Sequence, residues 1–202
     1  MLRLDIKNRF GPKSHIYFDN CSQHYDNFLN CNSKIRAKFD ELALGKCTAI
    51  EAISLINETE GYWASAVVFG AMCLEAFIYD YAAAHFSDTY VRNYLDGIDF
   101  VAKWVVVPKL VTGKYFPTDS QAFELLKKLC KERNELVHAK SKPAPADSNT
   151  ILVMAQEYQQ KTNETRKTLN PYDAIVEVLT ELRKLEDDEL RAQNWELTDA
   201  GI

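Results

Sequence analysis

The chain has 202 residues, of which 47% are hydrophobic and 26% charged, and carries a formal net charge of −5. That length suits one domain with a sizeable core, and seven glycines and six prolines are too few for a many-turned β architecture. An acidic balance argues against nucleic acid as a partner unless the basic residues cluster locally.

In chain order, residues 1–20 read as an irregular or hairpin-like segment. Leu2, Leu4 and Ile6 alternate with polar residues, Gly11-Pro12 turns, and Ile16-Tyr17-Phe18 returns. Charges within Met1–Lys7 do not fit a signal peptide. From Ser22 to Leu44, Tyr25, Phe28, Leu29, Ile35, Phe39 and Leu42 recur at helical spacing, and Gly45 ends that helix. Thr48-Ala49-Ile50-Glu51 fits a capping box and opens a short helix to about Asn57.

Tyr62–Phe86 is apolar on nearly every side, the pattern of a central helix covered by its neighbours. Its most apolar part, Tyr62–Leu74, is too short to span a bilayer before Glu75 and Asp80 interrupt it. Helices are expected near 89–96 and 98–107, before Pro108, Gly113 and Pro117. Asp119 or Ser120 caps a helix running to about Lys140, and Pro143 and Pro145 enforce a loop. Residues 150–160 have helical character, and Asn170-Pro171 opens a final helix to about Arg191. The expectation is a single all-α domain, a helical bundle over residues 22–191 with the hairpin-like segment before it.

Five cysteines at irregular spacings indicate free thiols in a reducing compartment. A cytoplasmic protein with no membrane partner is therefore expected. Cys21, His24, Cys31 and Cys47 match no paired zinc-ligand spacing. No glycine-rich phosphate loop is present, and no metal or cofactor is implied. Cys130 reads as a small core residue, His85 as a helix-terminus residue, and Trp63, Trp104 and Trp195 as core packing.

Two charges break the pattern. In the helix over 120–139, Phe123, Leu125, Leu126, Leu129, Cys130, Leu136 and Val137 form one apolar arc, and Arg133 projects into its middle. Glu75 stands in the otherwise uncharged run Tyr62–Tyr79. An unpaired buried charge costs several kcal/mol, so Glu75 and Arg133 are predicted to approach each other across a helix interface, directly or through one neighbour. The simplest role for such a pair is to fix helix register.

Arg133, Asn134 and His138 stand together at the end of that helix. Between Lys127 and Lys142, six basic residues (Lys127, Lys128, Lys131, Arg133, Lys140 and Lys142) face two acidic ones, a local charge of +4. Asn134 and His138 share a face, whereas Arg133 points roughly 100° from Asn134 and 140° from His138. One straight helix does not aim all three at one small target. Two copies related by a two-fold axis, motif helices facing, would solve that geometry.

The run Arg133-Asn134-Glu135-Leu136-Val137-His138, near a helix end and followed by a loop, resembles the signature of the HEPN superfamily. Cys73-Leu74-Glu75-Ala76-Phe77-Ile78 resembles that family's preceding-helix pattern. The order of elements is similar over roughly residues 25–190, but the recognisable motifs occupy those two helices alone. The resemblance implies a bundle that dimerises across the 120–139 helix. It implies either metal-independent RNA cleavage, in toxins or phage defence, or a non-catalytic binding module. Arg133 and His138 would be catalytic, Asn134 the polar residue beside the arginine, and Glu75 a supporting carboxylate. An antitoxin or defence partner is implied as well.

The residue types suit that chemistry. A histidine exchanges protons near neutral pH, and general acid–base catalysis contributes about 10²–10⁴-fold. An arginine fork stabilises charge building on a phosphate. Lys131, Lys140 and Lys142 would track an RNA backbone without reading sequence. The competing reading of His138 is a helix-end histidine favoured by the macrodipole.

Overall fold

The computed structural model describes residues 13–138, 166 and 168–199, side chains at 187–199 and at Ala49 excepted. Among these residues the secondary structure is helical, with no strand.

Helix α1 covers Ser14–Ala43. It starts eight residues before the expected Ser22, and Ile16-Tyr17-Phe18 form its first turn instead of a returning strand. The helical period wins because Tyr17, Phe18, Cys21, Tyr25 and Phe28 all recur at three- or four-residue spacing. The ring of Tyr17 stacks on Phe69 at 6.3 Å, and Phe18 meets Tyr172 at 5.1 Å. The remainder of the hairpin-like segment, residues 1–12, lies outside the described residues, as do 139–165 with the expected 150–160 helix and the Pro143/Pro145 loop.

At the end of α1, Gly45 takes φ +68°. Its N–H donates to Leu42 O at 3.0 Å, and Lys46 N–H donates to Glu41 O at 2.8 Å. This double bond to the last turn needs a left-handed residue, which glycine supplies without steric cost. Thr48 then caps helix α2, Ala49–Phe86: Glu51 N–H donates to Thr48 Oγ1 at 3.2 Å, and Thr48 N–H donates to Glu51 Oε2 at 2.7 Å.

The two helices expected at 48–57 and 62–86 are one, 38 residues long. Glu58 and Glu60 are good helix formers, and Gly61 costs only about 1 kcal/mol relative to alanine. By length and composition, Ile50–Phe86 could cross a membrane, which the shorter Tyr62–Leu74 window did not indicate. Half of its apolar window is buried inside the fold, and α1, α4, α5 and α6 pack on it.

Asp88–Tyr90 (α3) and a π-helical turn, Val91–Leu95, replace the simple helix expected near 89–96. The turn closes through Asp96 N–H to Val91 O at 2.8 Å. Helix α4, Phe100–Thr112, is capped by Asp99 and runs through Pro108, five residues past its expected end. An interior proline costs about 3 kcal/mol. Here Trp104, Val107 and Pro108 are buried in the core, and Thr112 Oγ1 donates to Pro108 O at 2.9 Å.

Helix α5, Gln121–Val137, starts where Ser120 Oγ accepts from Phe123 N–H at 3.2 Å. His138 is its C-cap, two residues before the expected end at Lys140. Helix α6, Pro171–Asp199, opens on the Asn-Pro signal: Asn170 Oδ1 accepts from Tyr172 and Asp173 N–H at 3.0 and 3.3 Å.

The core gathers around α2. Trp63 and Trp104 are buried, and a run of rings from Phe77 through Trp104 and Phe116 to Phe123 ties α2, α4 and α5 together at centroid distances of 6.4, 6.0 and 6.3 Å. At Gly70 three neighbours converge: Cys21 Sγ of α1, Pro171 Cβ of α6 and Leu129 Cδ1 of α5 lie 3.4, 3.4 and 3.6 Å from where a Cβ would stand. A helix with no side chain there lets all three approach. This packing sets the last two turns of α5 against α2 and the start of α4.

Candidate functional site

The end of α5 borders an open groove of about 520 Å³ lined by Val101 of α4 and by Lys127, Cys130, Lys131, Asn134, Glu135 and His138. Lys127, Cys130, Lys131, Asn134 and His138 recur at three- and four-residue spacing, so one stripe of the helix faces it. Asn134 and His138 share this groove, as their spacing predicts. Lys131 joins them; Lys140 and Lys142 lie outside the described residues.

Arg133 does not line the groove and points toward α2. Its Nη2 stands 3.6 Å from Glu75 Oε2, so the pair meets across the α2–α5 interface. Its Nη1 donates to Asn134 Oδ1 at 2.9 Å, and Asn134 Nδ2 reaches toward Cys130 Sγ at 3.7 Å. Arg133 therefore touches the groove through Asn134.

The expectation of two buried charges needs correction. The Glu75 side chain is 42% exposed and that of Arg133 33%. The pair is therefore partly open to solvent. An ion pair so open to water contributes little by itself.

The buried charge is one that the sequence reading missed. Lys103 of α4 is 6% exposed, with Nζ 3.4 Å from Asp96 Oδ1 and 4.0 Å from Glu75 Oε1. The signal was available: Lys103 is the lone charge in Phe100–Pro108, as Glu75 is in its own run. Glu75 thus stands between two cations, one oxygen toward each.

Burial raises the Cys130 thiol above its ordinary range, with the Asp99 and Glu75 carboxylates adding and Arg133 and Asn134 opposing. It is a thiol at neutral pH and no nucleophile. Cys21 and Cys31 are buried on α1, and the His24 ring stacks on Phe69 at 5.6 Å. Among the described residues, no group of three or more histidine, cysteine or carboxylate side chains gathers at a metal-binding spacing. His85 stands in the last turn of α2 against Tyr81, ring centroids 4.9 Å apart.

Chemically, the groove offers a proton-exchanging ring at a helix end, two lysines to hold an anion and an amide braced by an arginine. Comparison of the chain with protein-family models, with curated proteins and with solved structures found no match.

Proposed function

We propose that this chain is a HEPN-like endoribonuclease, acting without a metal as a homodimer through α5. The observation that carries the reading is the single groove holding Lys127, Lys131, Asn134 and His138, with Arg133 bonded to Asn134 at its back. In this reading the lysines and the amide hold an RNA phosphate, and His138 beside them is exposed.

In the proposed step, His138 takes the proton of a ribose 2′-OH. The 2′-oxygen attacks the adjacent phosphorus, the bond to the 5′-oxygen breaks, and a 2′,3′-cyclic phosphate and a 5′-hydroxyl result. The leaving oxygen takes up a proton, for which His138 of a second copy is the natural donor. Asn134, braced by Arg133 from behind, and the lysines stabilise charge on the phosphate oxygens. DNA, lacking the 2′-OH, is spared. A cytoplasmic toxin or phage-defence role, with an antitoxin or other defence partner, belongs to the same proposal.

One observation favours a second reading. Arg133 is already engaged by Glu75 and Asn134 and stands outside the groove lining. A non-catalytic module that binds RNA or a protein through the basic stripe would need nothing more. Incubating mixed single-stranded RNA in EDTA with wild type, His138→Ala and Arg133→Ala separates the two. Cleavage by wild type alone supports the enzyme. No cleavage by folded, dimeric wild type on several RNAs moves the assignment to the module, and cleavage surviving both substitutions removes these residues from the site.

A further inference from the structure

We propose that Lys103 is a positioning residue of the groove, holding Glu75 from behind so that Glu75 holds Arg133 against Asn134. The activity part of this inference rests on the ribonuclease reading; the positional part does not.

Five side chains, from three helices and the residue after the π-helical turn, form a chain of contacts ending in the groove. Asp96, just after the π-helical turn, and Glu75, on α2, both face Lys103 Nζ, at 3.4 and 4.0 Å. Of the three charged groups at this junction, Lys103 alone is buried: its side chain is 8% exposed, against 42% for Glu75 and 53% for Asp96. A cation that deep is stable only where carboxylates compensate it, so its position dictates theirs. Glu75 is fixed by the least movable member of the set.

The division of contacts is one-to-one. Glu75 gives Oε1 to Lys103 and Oε2 to Arg133. Arg133 gives Nη2 to Glu75 and Nη1 to the Asn134 carbonyl oxygen. Asn134 is left with its NH₂ turned toward Cys130. The amide in the groove is thereby oriented through three contacts starting at a lysine that does not line it. Without Lys103, the half-exposed Glu75 carboxylate is free to turn to water, and the Arg133 fork loses the acceptor that sets its direction.

A purely structural lysine would anchor α4 to α2 and leave Asn134 unaffected. The two roles separate in Lys103→Met, which keeps the length and packing of the side chain and removes its charge. In the full-length protein, the Asn134 side-chain ¹⁵NH₂ signals, assigned by their loss in Asn134→Ser, report the orientation directly and need no substrate. The expected result is that these signals shift and broaden in Lys103→Met and return toward their wild-type positions in Lys103→Arg. If Lys103→Met does not fold, Lys103→Gln, whose neutral amide is one bond shorter and does not reach Glu75, gives the same readout. Unchanged Asn134 signals in a folded, charge-free variant overturn the proposal.

On RNA, kcat in the charge-free variant is expected to fall about 10-fold or more, from misplacement of the reacting groups, with KM within about twofold. A kcat equal to wild type also overturns it. A wild type that does not cleave RNA defeats the ribonuclease reading, and the Asn134 signals still decide the role of Lys103.

Discussion

Glu75 illustrates how a single residue can be read correctly by partner and wrongly by environment. An uncharged run of seventeen neighbours marks it as a charge needing a cation, and Arg133 is that cation at 3.6 Å. The run does not reveal that the carboxylate ends half-exposed, because exposure is set by how elements distant in sequence pack around it. The buried partner, Lys103, carries the same lone-charge signal in a shorter run. Glu75→Ala leaves Lys103 with Asp96 as its remaining carboxylate, and the loss is expected to be about 1–3 kcal/mol, read as a lowered denaturant midpoint. Glu75→Gln, which keeps an acceptor, is expected to lose less. Cys21 gives a pH dependence. Burial pushes its thiol up to about 12 from 9.0, so the folded state keeps a proton that the unfolded state releases first. Its contribution is fully present below about pH 9 and is lost progressively toward about 12. Urea unfolding of wild type should show stability falling across that window, and Cys21→Ala should show a shallower fall.

At the scale of elements, caps were more legible than lengths. The Thr48–Glu51 box, Ser120 and Asn170-Pro171 each start a helix where local hydrogen-bond chemistry says they should, because a cap is decided by three or four adjacent residues. Asn170→Ala should therefore cost about 1 kcal/mol, measurable as a shift in the unfolding midpoint with no change in helix content at saturation. Lengths answer to distant partners. The first turn of α1 has Phe69 and Tyr172 to pack on, α2 is covered along one face by α1, and α4 gains the burial of Trp104, Val107 and Pro108 on both sides of its proline. None of these partners is adjacent in sequence, which is why a hairpin, a helix break and an early stop were expected there.

For the whole molecule, the all-α architecture was legible because sparse glycine and proline and the 3.6-residue period act over the entire chain. Its assembly depends on one crowded point. At Gly70 an alanine Cβ would find ordinary contacts of 3.4–3.6 Å, but longer side chains would meet α1, α5 and α6 together. Gly70→Ala is expected to be tolerated and Gly70→Leu to cost about 1–3 kcal/mol through overpacking, with thermal unfolding as the measure. Because α5 is one of the displaced elements, the groove should loosen in the same variant. The site itself was half-legible. Asn134, His138 and Lys131 do share a groove, whereas Arg133 works from behind it, as its 100° offset on the helix requires. What no helical wheel shows is the contribution of α4, which brings Val101 to the groove and Lys103 to Glu75.

The proposed function requires that His138 in this groove cleave RNA through the ribose 2′-OH. The test is to incubate one single-stranded RNA and its all-2′-deoxy counterpart with the full-length protein in EDTA. The products are then weighed by mass spectrometry, alongside a His138→Ala control. Fragments carrying a 2′,3′-cyclic phosphate from the RNA alone, absent with His138→Ala, are the predicted result. Cleavage of the deoxy strand, or cyclic-phosphate products that persist in His138→Ala, would contradict it.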